Sequence, residues 1–321
     1  MTSASSNAAA ANAATAAINS QQMVVAGEAL VDVVVPAGGG EPERAPGGSP
    51  LNVAVGLARL TVETVLVTEI GDDELGRLLR DHVLASEVVL ADDAVVPGLA
   101  TSTATAQLDD SGAATYDFDL RWTLPPQTMP DTATGLHVGS IGAAVRPGRE
   151  SVMQLVREAH ANDLLVTFDP NVRAAFTPDP GAAWEDVRET AAHARVVKMS
   201  EEDLAFLRPG EAREDVARGL LGGTTELVVV TSGAEGAAAY SKDGTATVRS
   251  RPTEVIDTVG AGDSFMAALL AIVIEHGLDD LGEARLERVL EAAHEAASVT
   301  VSRRGANPPR RGELSAGWPG L

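Results

Sequence analysis

Short apolar runs and amphipathic runs alternate from Leu136 to Thr231, and this alternation confines the chain to few folds. It predicts strands at 136–140, 164–168, 195–199 and 226–231, separated by helices at about 148–161, 182–193, 201–207 and 212–221. A helix between two strands carries the chain back across the sheet, so the strands run parallel. A parallel sheet must be covered on both faces, so the expected class is α/β, a doubly wound and mainly parallel sheet. Upstream, Met23 to Ala26 reads as a first strand, Leu51 to Leu60 as a buried helix and Asp72 to Ala85 as an amphipathic helix. Downstream, a hairpin over 237–241 and 245–248 precedes two closing helices at 263–276 and 284–300.

Two stretches escape the alternation. Thr101 to Leu108 and Ala114 to Leu120 alternate in side-chain character around Asp109-Asp110-Ser111-Gly112, which signals a β-hairpin. Leu30 to Val35 is extended, and Gly38 to Ala45 reads as a loop rich in Gly, Pro and Glu. The segments near 30–45 and 98–122 therefore predict a small β-sheet protruding from the body. Such a sheet is placed to act as a lid that covers a cleft and excludes water.

Composition removes several function classes. The formal charge of −22 argues against nucleic acid and against anionic membrane surfaces, both of which need basic patches. No apolar run approaches the ~20 residues that span a bilayer. The absence of cysteine excludes disulfides, Cys-ligated zinc and thiol nucleophiles. Lys198 and Lys242 are the only lysines among 24 basic side chains. Neither follows a glycine, so there is no P-loop, and neither sits in a Val-Ala-x-Lys strand of a protein kinase. No Gly-x-Gly-x-x-Gly follows the first strand, which disfavours a dinucleotide-dependent dehydrogenase. His294-Glu295 is no zinc motif, because position 298 is Ser. Residues 1–20 are rich in Ala, Ser, Asn and Thr without Arg or Lys, unlike a signal or transit peptide. They are expected to be a disordered tail ahead of a single domain over 21–321, in a cytoplasmic protein.

The chemistry concentrates in Asp257-Thr258-Val259-Gly260-Ala261-Gly262-Asp263-Ser264-Phe265. This string joins an extended segment to a strongly apolar helix. A Gly-Ala-Gly turn opening a helix offers unpaired N–H groups and the positive end of the helix dipole, a site for anions and phosphate above all. Asp263 beside it is placed to take a proton from a hydroxyl that attacks the phosphate. On glycines and aspartate alone, a plain loop with an N-capping Asp accounts for the string equally well.

The full string resembles the signature of the ribokinase-like (PfkB) sugar kinases, and the resemblance runs from about Val24 to Pro309. Gly47-Gly48-Ser49-Pro50-Leu51-Asn52-Val53-Ala54 is similar to that family's first signature, and Asp169-Pro170-Asn171-Val172-Arg173 to a segment of its fructokinases and 2-keto-3-deoxygluconate kinases. The resemblance implies ATP-dependent phosphorylation of a small sugar, with fructose favoured and 2-keto-3-deoxygluconate or ribose as rivals. A non-catalytic member that only binds sugar or nucleotide is the alternative of another class.

The resemblance also implies roles. Asp263 would be the base, and the amides of Gly260, Ala261 and Gly262 the anion hole. Asp32, Gly47, Gly48 and Asn52 would hold the sugar, with Arg173 facing the cleft. Tyr116 and Phe118 would pack on the sugar or form lid core, and Arg121 would suit a substrate carboxylate. Asn171, Ser200, Thr231, Gly233 and Gly236 would line the nucleotide side. Asp203 would organise Mg²⁺ through water, although Ser200 to Asp203 also reads as a helix cap. Asp257 would join backbone oxygens near 301–306 around K⁺, or simply cap its own turn. Pairing of two lids would make a homodimer.

Overall fold

The computed structural model describes residues 22–109 and 114–321, without the side chains of Ala114 and Tyr116. The expected tail over 1–20, the turn residues Asp110, Ser111 and Gly112, and the Tyr116 side chain lie outside the described residues. The first elements are β1 (Gln22–Ala26), β2 (Leu30–Val35), β3 (Glu43–Gly47), α1 (Ser49–Arg59), β4 (Glu63–Val67), β5 (Ile70–Gly71) and α2 (Glu74–Ala85). Then come β6 (Val89–Leu90), β7 (Val95–Val96), β8 (Thr103–Leu108), β9 (Ala114–Asp119), β10 (Ala133–Gly139), α3 (Ser140–Ala144) and α4 (Gly148–Ala161). The alternating part holds β11 (Leu165–Asp169), α5 (Pro180–Ala191), β12 (Val196–Ser200), α6 (Glu201–Leu207), α7 (Arg213–Leu220) and β13 (Leu227–Thr231). The chain closes with β14 (Ala237–Ser241), β15 (Thr245–Val248), α8 (Ala261–His276) and α9 (Glu283–Val301).

Among the described residues the main sheet has nine strands in the order β15-β14-β13-β12-β11-β10-β1-β4-β6. It is parallel from β6 to β13, and β14 and β15 continue it antiparallel, so the doubly wound α/β expectation holds. The period of two sorts each strand between two cores. In β1, Met23 and Val25 join the core under α1, α8 and α9, while Val24 and Ala26 join the core under α4 and α5. In β13, Leu227 and Val229 face the first core, and Val228 and Val230 the second. Helix α8 is buried at every position from Asp263 to Val273, which explains why its sequence is apolar on all sides.

The strand order reverses between β1 and β10, the two central neighbours, and α/β sheets bind ligands outside the carboxyl ends of strands at such a point. The second sheet leaves the body there. Its order is β3-β2-β8-β9, with β2 parallel to β8 and antiparallel to β3. The stretch expected as loop up to Ala45 therefore ends in a strand, Glu43–Gly47. Its polar residues and Pro46 hide it in the sequence, and both are at home because β3 is an edge strand.

The returning root of this small sheet is fastened to the body. The Glu69 carboxylate accepts N–H bonds from Thr123 and Leu124, both at 2.6 Å, and the Thr123 hydroxyl donates to it at 2.8 Å. Beside it, Trp122 Nε1–H donates to the Gly142 carbonyl at 3.0 Å. Removing the acceptor strands the buried Leu124 amide, and one such orphan costs about 1–3 kcal/mol. Glu69→Ala is expected to lower the unfolding free energy by at least that amount in urea titrations. An unchanged midpoint would show that this fastening is dispensable.

Candidate active site

Asp263 occupies the third position of α8 and is 8% exposed. Its Oδ1 accepts the Ser49 hydroxyl at 2.6 Å, and its Oδ2 accepts the Asn52 amide at 2.8 Å. Both donors come from the first turn of α1, which follows the Gly47-Gly48 turn out of the small sheet. Two segments more than 200 residues apart in sequence thus meet at one carboxylate, with polar donors where hydroxyls of a polyol could substitute.

The turn before α8 is held in place from the C-terminal side. Gly260 adopts φ +75°, and a Cβ there would lie 2.6 Å from Ala306, so only glycine fits. Asp257 caps the turn, accepting Val259 N–H at 3.0 Å and Gly305 N–H at 2.8 Å. Its carboxylate is therefore already engaged by two backbone donors. Ala261 N–H donates to Thr258 O at 3.2 Å. Among the described residues no acceptor meets the N–H groups of Gly260 and Gly262, so the expected triad of free amides is reduced to these two.

Asp32 lies on β2 against Gly47 of β3, where a Cβ would come within 2.1 Å of its carboxylate. Burial pushes Asp32 up to about 6, against the pull of Arg173 and with the help of Asp263. The three side chains therefore share one electrostatic neighbourhood. Arg173 follows β11 and is anchored by Asn171, whose Oδ1 accepts its Nη1–H at 2.7 Å. Asn171 itself sits at φ +38°. Glu28, between β1 and β2, is 2% exposed and accepts Gly142 N–H at 2.7 Å. Burial raises it to about 7, opposed by Ser140, Gly142 and Arg173.

A buried ion pair underlies the same edge. Lys198 of β12 donates to Asp169 Oδ2 of β11 at 2.7 Å, with exposures of 4% and 1%. Burial raises Asp169 to about 6; Lys198 opposes the shift, and Asp203 and Asp263 add to it. Burial also disfavours the Lys198 charge, yet Asp169, Asp203 and Asp263 outweigh it and hold the ammonium above its ordinary value. Shifted groups gathered at a strand edge mark a site candidate.

The remaining expected residues are spread more widely. Ser200 and Asp203 form a capping box at α6, and Asp203 Oδ1 also accepts Val172 N–H at 2.7 Å. Thr231 lies beside Ser200 in register, with Gly233 and Gly236 in the turn after it. Phe118 meets Phe176 edge-on, with ring centroids 5.1 Å apart, so it packs the small sheet onto the body. Arg121 is ion-paired with Asp119 at 2.5 Å and stays half exposed. Sequence reasoning gave no role to Glu28, Ser49, Asp169 or Lys198. Ser49 and Asp169 fell inside quoted motifs, and Lys198 was conspicuous only as a rare lysine.

Comparison with known proteins identifies the family and the fold. The model of the pfkB family carbohydrate kinases matches residues 20–311. The chain is 34% identical over 293 residues to a fructokinase of Klebsiella pneumoniae, covering 88% of this chain and 94% of that one. Its fold is similar to that of a Xylella fastidiosa fructokinase with bound ATP, at TM-score 0.78 and 25% identity, covering 89% and 93%. It is also similar to a Vibrio cholerae fructokinase in a fructose, ADP and calcium ion bound form, at TM-score 0.74 and 28% identity, covering 90% and 95%.

The electrostatics of this edge can be tested without substrate. A carboxyl with a native pKa above its unfolded value binds its proton more tightly when folded. Glu28 therefore loses stabilising effect as pH rises from 4.5 towards about 7, by up to about 3 kcal/mol. Glu28→Gln, which keeps the neutral shape, is expected to flatten that part of the stability–pH curve. An identical curve for both proteins would sink the assignment.

Proposed function

Because the chain belongs to the pfkB family of carbohydrate kinases, we propose that it transfers the γ-phosphoryl group of ATP to fructose, giving fructose 6-phosphate. One observation carries the mechanism: Asp263 heads α8 beside the unpartnered amides of Gly260 and Gly262, with Ser49 and Asn52 on its carboxylate. The amides hold the transferring phosphoryl group and take up charge as it builds. Asp32, Gly47, Gly48 and Asn52 orient the sugar, and Ser49 and Asn52 exchange their bonds to Asp263 for bonds to sugar hydroxyls. Asp263 accepts the proton of the attacking hydroxyl during in-line transfer.

Fructose is favoured by the fructokinase relatives, and 2-keto-3-deoxygluconate would want for its carboxylate an arginine such as Arg121, which is ion-paired with Asp119. Asn171, Ser200, Thr231, Gly233 and Gly236 line the nucleotide side. Among the described residues no three His, Asp or Glu side chains converge on a metal cage. That suits Mg²⁺, which binds largely through phosphate oxygens and water. Asp203 would reach such an ion through water, and the ion would neutralise the β- and γ-phosphates.

A coupled ADP-release assay with fructose, ribose, 2-keto-3-deoxygluconate, glucose and adenosine tests the substrate. Fructose should turn over fastest, and any other leader would move the substrate while keeping the chemistry. Asp263→Asn should fold normally and lose about 10²–10⁴ in kcat, the range for a positioned base. Wild-type-like turnover in that variant would refute its role. The pH dependence of KM gives a separate check. Asp32 must be ionised to accept hydroxyl hydrogens, so KM for the sugar should rise as pH falls through about 6. Asp32→Asn should raise KM and remove this dependence, and a flat wild-type profile from pH 8 to about 5 would argue against Asp32.

A further inference from the structure

We infer that Lys198 is a catalytic residue whose ammonium binds the phosphoryl group under transfer, with Asp169 as the residue that positions it. This rests on the kinase reading above and adds a cation of the protein's own to the anion site.

The placement is specific. Lys198 lies on β12 beneath the first turn of α8, and a Cβ built on Gly262 would sit 3.4 Å from its Nζ. The Gly262 N–H also has no acceptor among the described residues. The ammonium and the free amide therefore border the same small space, and the missing side chain at 262 leaves it open. Lys198 has three N–H donors but, among the described residues, a single hydrogen-bond partner, Asp169 Oδ2. Asp169 Oδ1 is buried without any hydrogen bond, so the pair is incomplete as a purely structural element.

Residue choice points the same way. This chain uses arginine for nearly all its basic side chains, yet buries one of its two lysines here. An ammonium is a compact charge with rotatable donors, whereas a guanidinium is a broad planar fork. The compact ammonium sits between Asp169 and the α8 turn and can redirect a donor by rotation. The surrounding Asp169, Asp203 and Asp263 keep it charged.

In the transfer, the bond from the γ-phosphorus to the bridging β,γ-oxygen breaks and a bond to the sugar oxygen forms. The hydroxyl proton passes to Asp263, ADP leaves, and Lys198 remains an ammonium throughout. It offsets charge on the phosphoryl oxygens that two amides alone would carry.

The test uses a paired substitution, because Lys198→Met alone would leave Asp169 buried and unpaired. The Lys198→Met/Asp169→Asn protein should melt cooperatively and bind fructose with nearly unchanged affinity. Its kcat should fall about 10²–10³-fold, as when one donor to a developing charge is removed. Calorimetry with a non-hydrolysable ATP analogue and with AMP should show its preference for the triphosphate reduced about tenfold. A folded double variant with kcat and triphosphate preference both within about threefold of wild type would overturn the proposal, leaving the pair as core ballast. Should the wild type phosphorylate none of the sugars, the kinase reading fails. The calorimetric comparison still decides whether Lys198 binds a phosphoryl group.

Discussion

Helix α8 is buried from Asp263 to Val273 but opens towards solvent at Ala261 and Gly262, and the candidate site is organised around the free N–H groups of that opening turn. Helix α8 threads the core beside α1 and α9 and begins at the carboxyl edge of the sheet. Its first carboxylate is satisfied by α1, and one amide by the turn itself. The amides of Gly260 and Gly262 have no acceptor among the described residues, and a free backbone donor in such a place is stable only if water or a ligand completes it. The surrounding chain then shapes what that ligand can be. Asp257 and Ala306 fix the turn from one side, and β2 and β3 bring Asp32 and the Gly47-Gly48 turn from the other.

The charges at this edge are balanced rather than uniform. Glu28, Asp32, Asp169 and Asp263 would repel one another and any phosphate if left alone. Arg173 opposes the shifts of Glu28 and Asp32 and Lys198 that of Asp169, yet burial still pushes Asp32 and Asp169 up to about 6. An edge with this balance stays near the point where a small change in occupancy alters protonation.

Much of this was readable from the chain. Strands separated by helices announced the parallel sheet, and the boundaries of α4 and α6 match the expected ranges. The Gly-Ala-Gly-Asp string announced the turn that opens α8 because its requirements are local. What stayed hidden depends on contacts between distant segments. β3 carries Glu, Arg and Pro, and only pairing with β2 makes it a strand. Ser49 sits 214 residues from Asp263, and no local pattern joins them. Arg121 looked available in the sequence because its ion pair with Asp119 depends on side-chain conformation rather than residue order. Lys198 stood out by rarity, but its neighbour Gly262 comes from another element entirely.

The burial of Lys198 has a practical corollary. With one lysine sealed under a helix, Lys242 in the β14–β15 turn is the remaining side-chain amine, and it is exposed. Apart from the α-amino group, amine-directed reagents would therefore find a single address on the folded protein. A fluorophore, a surface tether or a cross-linker could be attached there in defined stoichiometry, at a hairpin that contributes nothing to the proposed catalytic edge.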